Sequence, residues 1–177
     1  MGGGGEVNER TRWWEQPGRG QVGGRKEPDN GAIGAGGEDM GGVDTEENRL
    51  ADHAALLAAG LNVVVTSVRS LSDVDEALDL LATAVGRPRP ERVAPPAVGP
   101  ARAKAFVPIW RRPWMTVNAN TYVADILRAA GIVTVFADHP DRYPTVTDDE
   151  ITAAGPDLVV APTEPYPFAA RHRAELE

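Results

Sequence analysis

The pattern of hydrophobic and polar positions changes near residue 44. Residues 1–43 contain few large aliphatic side chains, and 14 of the 19 glycines fall within residues 1–42. Such a segment cannot bury enough apolar surface to offset the entropy lost on ordering. We therefore expect residues 1–43 to be Gly-rich and largely irregular or disordered. From Asp44 onward, segments of helical period alternate with short β-branched segments.

The first half of this patterned region predicts two helices and a strand. Asp44 is a suitable N-cap for the first helix and Gly60 suits the position after its end, while Ser72 is placed to cap the second. The segment 88–100 contains five prolines and predicts an extended connector. The predicted elements are helices at 46–59 and 73–85 and a strand at 61–66.

The second half predicts strands alternating with helices. The segment Thr147–Glu150 has the pattern of a capping box, and Gly155 followed by Pro156 marks a helix end. Alternation of this kind predicts a parallel sheet whose loops open on one edge, where α/β proteins bind ligands. The predicted strands are 105–110, 132–136 and 157–160, the helices are 121–130, 148–154 and one from about 168, and the loops at this edge are 111–120, 137–147 and 161–167.

Composition and charge narrow the class of protein. A chain of 177 residues with 42% hydrophobic content can bury the core of one domain or of two small lobes. The net charge of −8 argues against binding to nucleic acid and against a polybasic membrane contact. The absence of cysteine excludes disulfides, thiolate metal sites and a lipoprotein anchor. We find no signal peptide and no apolar segment of the roughly 18 residues that a membrane span requires.

Two predicted loops combine aromatic, proline and charged side chains. Tryptophans can stack on a flat ligand and arginines can pair with its carboxylates or phosphates, so these loops predict a binding site. In the alternative interpretation the tryptophans seal the end of the sheet beside exposed arginines, and Tyr166 packs on a neighbouring helix. The candidate residues are Trp110, Arg111, Arg112 and Trp114 in the first loop, and Glu164 and Tyr166 in the second.

The remaining polar residues do not assemble a catalytic site. His53 and His172 are predicted on solvated helix surfaces. Asp138 and His139 lie at the ligand edge, and a metal-dependent enzyme is an alternative that rests on these two residues alone. The sequence contains no HExxH motif, no nucleophile elbow and no phosphate-binding glycine loop. We therefore predict a binding protein, not an enzyme.

Three motifs, in this order and spacing, resemble one family. They are the segment Val107–Val117 (VPIWRRPWMTV), the segment Val135–Pro144 (VFADHPDRYP) and the segment Glu164–Phe168 (EPYPF). The segment Thr45–Arg49 (TEENR) also fits. Together they are similar to the helical-backbone substrate-binding proteins of ABC importers for cobalamin and ferric siderophores.

The resemblance implies an α/β fold of two Rossmann-like lobes joined by a helix, with ligand held between the lobes. Residues 44–70 would be the remainder of the N-terminal lobe, 71–104 the connecting helix and Pro-rich linker, and 105–177 a C-terminal lobe with a parallel sheet. The N-terminal lobe is expected to be incomplete, since its first strand and helix have no counterpart. The chain also ends before the last strand and helix of the family's second lobe, so we expect a protein truncated at both ends.

The resemblance also implies roles for individual residues. The ligand, cobalamin or a ferric siderophore, would bind non-covalently, and the sequence does not distinguish these from haem. The family is extracytoplasmic and docks on its permease as a monomer, without a cofactor or a resident metal; a complete chain without a signal peptide would be cytoplasmic. The alternative is a truncated remnant that binds nothing. The implied ligand-binding residues are Trp110, Arg111, Arg112, Trp114, Met115, Glu164 and Tyr166, and the implied docking residues are Glu46, Glu47 and Glu150.

Overall fold

The computed structural model describes residues 9–10, 20–21, 23–24, 27–28, 33, 40–46, 48–92, 94 and 97–176. The chain divides into two compact units. The first comprises residues 1–68 and 72–92, and the second comprises residues 69–71 and 93–177. Among the helices of the described residues, none has the length and apolar character that crossing a membrane requires.

The first unit contains a parallel pair of strands with two helices. Its larger strands pair in register, with Val43 opposite Val65. The side chains of Leu56, Leu61 and Ala77 are buried in this unit. Its elements are β1 (Glu9–Arg10), β2 (Gly20–Gln21), β3 (Gly23–Gly24), β4 (Glu27–Pro28), β5 (Met40–Asp44), α1 (Leu50–Ala58), β6 (Asn62–Thr66) and α2 (Asp73–Ala84).

Asp44 does not cap the first helix, so the prediction of a helix over 46–59 is wrong at its start. The helix begins at Leu50 with Arg49 in the N-cap position. The Asp44 carboxylate instead accepts hydrogen bonds from the Glu46 amide at 2.9 Å and from the Thr66 hydroxyl at 2.8 Å. These bonds close a turn at the end of β5, because a short acidic side chain competes for nearby backbone amides.

The prediction that residues 1–43 are irregular falls mostly outside the described residues. Where that segment is described, the chain forms β1 to β4 and most of β5. Strand β5 was not predicted, because Gly41 and Gly42 have low β-propensity. Its partner β6 supplies the β-branched residues, and a Cβ atom at position 41 would meet the side chains of Leu56 and Leu61 at an ordinary contact distance of 3.8 Å.

The second unit is built on a three-stranded parallel sheet, which confirms the predicted α/β class. The strands lie in the order β11-β7-β9, and a separate antiparallel pair joins β8 to β10. The elements are β7 (Ala103–Phe106), β8 (Trp114–Met115), α3 (Tyr122–Ala129), β9 (Ile132–Thr134), β10 (Thr145–Val146), α4 (Asp148–Ala154), β11 (Leu158–Val159) and α5 (Arg173–Leu176).

The parallel strands are shorter than the sequence predicts. Strand β7 ends at Phe106 and not at Trp110, because Pro108 has no amide hydrogen to donate to the ladder. Val107 is nevertheless fully buried beside Val117 in the core of this unit. Apolar character therefore continues after β-pairing stops, and this makes the strand look longer in the sequence. The strands predicted at 132–136 and 157–160 are likewise trimmed to 132–134 and 158–159.

The two long helices of the second unit begin at threonine caps. Thr121 accepts a hydrogen bond from the Ala124 amide at the start of α3. Thr147 and Glu150 form the predicted capping box, and the Thr147 amide, donating to the Glu150 carboxylate, lowers the pKa of Glu150 below its ordinary value. The predicted helix from 168 is wrong at its start, because a single 3-10 turn at Ala170–His172 precedes the short helix α5.

Buried polar side chains hold the loop that follows β7. The Thr116 hydroxyl, fully buried, donates to the Val107 carbonyl at 2.8 Å. The Asn118 amide nitrogen donates to the His139 carbonyl at 3.0 Å, and its oxygen accepts from the Asn120 amide at 2.8 Å. Because buried polar groups are costly unless they are hydrogen-bonded, these bonds favour one conformation of the loop.

Replacing Asn118 with alanine should destabilise the protein by about 1–3 kcal/mol, because the substitution removes two hydrogen bonds of a buried side chain and leaves partly buried backbone groups without these partners. Asn120→Ala is the matched control: its side chain is exposed, and we expect a change within about 0.5 kcal/mol. Urea unfolding measures both values. Equal losses for the two variants would contradict a structural role for the buried amide.

Candidate functional site

The order of the parallel strands points to one edge of the second unit. The chain passes from the central strand β7 to β9 on one side, and later to β11 on the other. The loops after β7 and β11 therefore leave the sheet where the strand order reverses. Ligands of open α/β sheets bind at such a reversal, outside the carboxyl ends of the strands.

The loop after β7 folds into a short closed turn. The Met115 amide donates to the Trp110 carbonyl at 3.1 Å, and the Ile109 amide donates to the Met115 carbonyl at 2.8 Å. Arg112, at the tip, has a φ of 62°. Strand β8 then pairs with β10, so that Met115 lies opposite Thr145. The predicted loops 111–120 and 137–147 are therefore joined by backbone hydrogen bonds.

Aromatic rings connect this loop to the loop after β11. Trp110 and Tyr166 meet edge to face with ring centroids 5.5 Å apart. The ring of Tyr166 lies 4.6 Å from that of Phe168, and Phe168 stacks against Trp114 at 6.3 Å. We call Trp110, Trp114, Tyr166 and Phe168 the aromatic cluster. The structure thus brings together three residues that the sequence proposed for ligand binding.

The rings of the aromatic cluster differ in their exposure to solvent. Phe168 is buried, with 6% of its surface exposed, whereas Trp110 is 43% exposed. Trp114 is partly buried, and its indole N–H donates to the Asp148 carboxylate at 2.8 Å. Trp114 therefore serves the packing role that the alternative interpretation gave to the tryptophans. Trp110 keeps ring surface available for a partner.

A groove of about 530 Å³ opens beside the turn, and the predicted residues Arg111, Arg112 and Trp114 line it. Thr147 and Asp148 come from the start of α4, and Glu175 from α5. An apolar ring with a few charged groups in a concave surface is the composition expected of a small-molecule site.

Arg111 is the most constrained charge of this groove. Its side chain is 11% exposed, and its guanidinium pairs with the Glu175 carboxylate. The hydrogen bond to Tyr166 raises the pKa of Arg111 above its ordinary value; burial acts in the opposite direction and the charge of Glu175 reinforces the increase. The buried Nε atom has no hydrogen-bond partner among the described residues. The guanidinium therefore retains unused donor capacity.

The other predicted residues lie away from this groove. Met115 belongs to β8, and Glu164 is exposed in the loop after β11. Of the docking candidates, Glu46 follows β5 in the first unit and Glu150 is the capping-box carboxylate on α4. Glu47 falls outside the described residues. The peptide bonds preceding Pro113 and Pro165 are cis.

His172 was predicted on a solvated helix surface, and this prediction is wrong. The side chain is buried, with its ring 5.5 Å from Tyr166 and 5.6 Å from Phe168, and its Nδ1 atom accepts the Ala169 amide. The sequence from the EPYPF segment to His172 has no periodic pattern that would predict this contact. In His139, Nδ1 likewise accepts a local amide, that of Asp141. Within the described ranges no three metal-binding side chains cluster.

A second cavity of about 580 Å³ runs beside β11, between that strand and α5. It is lined by Leu158 and Phe168 together with Arg173 and Leu176, and none of the predicted ligand residues contributes to it. Although this cavity is larger, the groove at Arg111 has the aromatic and charged lining that a ligand can recognise. We therefore take the groove, with Trp110 nearby in the chain, as the candidate site.

The chain has the same fold as solved periplasmic binding proteins and an ABC transporter substrate-binding protein. The chain is similar to a periplasmic haem-binding protein of Pseudomonas aeruginosa, with a TM-score of 0.72 and 19% identity, over 88% of this chain and 62% of that protein. It is also similar to the periplasmic vitamin B12 binding protein of Vibrio cholerae, with a TM-score of 0.64 and 13% identity, over 89% of this chain and 64% of that protein.

A third similar structure is an ABC transporter substrate-binding protein of Listeria monocytogenes, with a TM-score of 0.65 and 14% identity, over 94% of this chain and 70% of that protein. The chain thus spans less than two thirds of the haem-binding and vitamin B12 binding proteins. No family model and no curated protein sequence matches the chain. These similarities establish the fold.

The division of the aromatic cluster can be tested through stability. Phe168→Ala should cost about 3–5 kcal/mol, because it removes a buried ring that contacts three others. Trp110→Ala should cost less than Phe168→Ala, because Trp110 is 43% exposed; its edge-to-face contact contributes about 0.5–1.5 kcal/mol beyond the area that the ring buries. Urea unfolding of both variants compares the two losses. A larger loss for Trp110→Ala would mean that this ring is part of the core.

Proposed function

We propose that the chain is the substrate-binding component of an ABC-type importer and binds a metal chelate such as cobalamin, haem or a ferric siderophore. The observation that carries the proposal is a groove lined by two arginines, with the exposed Trp110 directly before them in the chain, in the loop that leaves the sheet where the strand order reverses. The shared fold supports it, since the similar structures include vitamin B12 and haem-binding periplasmic proteins.

Binding would be non-covalent and would use two kinds of contact. The exposed face of Trp110 offers apolar surface to a large conjugated ring, and the contact with Tyr166 fixes its orientation. Arg111 and Arg112 supply positive charge for acidic groups of the ligand. Glu164 and Met115 complete the residues that the family resemblance assigns to binding. Because the loop is held by backbone bonds and buried side chains, little ordering entropy is lost on binding.

Transport would require a permease, with the chain acting outside the cytoplasm as a carrier and not as an enzyme. Glu46 and Glu150 are the docking residues that we propose on the two units, with Glu47 beside the first. Glu46→Lys should abolish ligand uptake in cells that depend on this protein without weakening ligand binding, because a reversed charge disfavours the permease contact. Unchanged uptake would contradict a docking role.

Binding is tested by calorimetric titration of the purified protein with haem, cyanocobalamin, ferrichrome and ferric citrate. We expect saturable one-to-one binding of at least one of these ligands. Trp110→Ala should weaken that binding by about tenfold, which corresponds to about 1.4 kcal/mol. Ile126→Ala is the matched control, since Ile126 on α3 is 42% exposed and Trp110 is 43% exposed. The control should bind as the wild type does.

Failure of all four ligands to bind would overturn the proposed function. Equal weakening by the two substitutions would instead show that the effect on binding is not specific to Trp110.

A further inference from the structure

Two charges of each sign line the groove at the turn after β7. The positive charges belong to Arg111 and Arg112, and the negative charges to Asp148 and Glu175. Asp148 is engaged by the indole N–H of Trp114. Glu175 is engaged by Arg111 alone among the contacts described. The lining is therefore electrically balanced only while Glu175 stays in place.

The guanidinium of Arg111 is not fully used by Glu175. The ion pair joins Nη2 of Arg111 to one carboxylate oxygen of Glu175, and the buried Nε atom of Arg111 has no partner among the described residues. Arginine binds a carboxylate most strongly when two of its N–H groups donate in parallel. A carboxylate that reached both Nε and Nη2 would therefore satisfy Arg111 better than Glu175 does.

The Glu175 carboxylate can also be displaced from Arg111. Its side chain is 45% exposed, whereas that of Arg111 is 11% exposed. It lies on α5, a helix of four residues. An ion pair in which one carboxylate remains largely solvated contributes little net free energy, so its loss costs little when another carboxylate replaces it.

We propose that Glu175 occupies the position of a ligand carboxylate on Arg111 and is displaced when the ligand binds. Glu175 then determines specificity: a ligand that displaces it must restore the negative charge, so the groove selects chelates with free carboxylates over neutral ones. This inference rests on the proposed function, since it assumes that the groove receives the chelate. The competing interpretation is that the Arg111–Glu175 pair only anchors α5 to the turn.

The test is the variant Glu175→Gln, titrated with carboxylate and neutral ligands. Haem carries two propionates and ferric citrate carries several carboxylates, whereas ferrichrome and cyanocobalamin have no free carboxylate. Removing the internal competitor should tighten binding of haem or ferric citrate by about three- to tenfold. It should leave the affinities for ferrichrome and cyanocobalamin unchanged within about twofold.

Two controls separate displacement from other causes. Asp149→Asn removes the same charge from the exposed first turn of α4 and should change affinity by less than about twofold, because solvent and salt screen it. In a background of Arg111→Gln, the Glu175→Gln substitution should have no effect on carboxylate ligands, since the two residues act as a pair. The thermal unfolding midpoint of each variant confirms that it is folded.

Each outcome decides one question. If the wild type binds a carboxylate ligand and Glu175→Gln binds it equally or more weakly, Glu175 is an anchor and the inference is wrong. If Asp149→Asn produces the same tightening, the effect is general electrostatics and the inference is again wrong. If neither the wild type nor Glu175→Gln binds any of the four ligands, the proposed function itself fails.

Discussion

The position of the aromatic loop depends on a few buried hydrogen bonds at the carboxyl end of β7. Thr116 and Asn118 are almost fully buried, and each donates to a backbone carbonyl that the sheet does not satisfy. On the neighbouring strand β9, the Thr134 hydroxyl likewise donates a hydrogen bond to a backbone carbonyl, that of Val117, at 3.1 Å. Because an unpaired buried carbonyl is costly, loss of the loop conformation would leave these polar groups unpaired in the core. These bonds therefore favour one conformation of the loop.

This constraint explains how one loop can both stabilise the unit and offer a binding surface. The buried bonds place Trp114 against Phe106 and Phe168, where it closes the end of the sheet. The turn between Trp110 and Met115 then leaves Trp110 and Arg112 exposed on a fixed base. A rigid base lowers the entropy lost when a ligand orders these side chains. Packing and the proposed recognition of ligand thus fall to different residues of the same short segment.

Features determined by local sequence could be predicted. The capping box of Thr147 and Glu150 lies within four consecutive residues, and α4 was predicted with its observed bounds, 148–154. The parallel sheet followed from alternation of apolar segments. The loops were identified because tryptophan, arginine and proline residues directly follow predicted buried strands, where α/β proteins bind ligands.

Features determined by distant contacts could not be predicted. Strand β5 depends on pairing with β6, which the glycines of its own sequence conceal. The burial of His172 depends on how Tyr166 and Phe168 fold back over it. The ion pair between Arg111 and Glu175 joins two elements that are far apart in the chain. The charge of a residue does not indicate which oppositely charged residue it will meet. In each case the missing information is which segments meet in three dimensions.

We propose that ligand binds against the turn at Trp110 in the second unit. The most direct measurement is an NMR titration of protein labelled with ¹⁵N at the tryptophan indoles, using gallium protoporphyrin, a diamagnetic analogue of haem. Trp110→Phe and Trp114→Phe assign the signals. We predict that the Trp110 and Trp114 indole signals shift with the same saturation curve that calorimetry gives for binding. Saturable binding in calorimetry with both signals unmoved would contradict the account, because the ligand would then occupy a different surface.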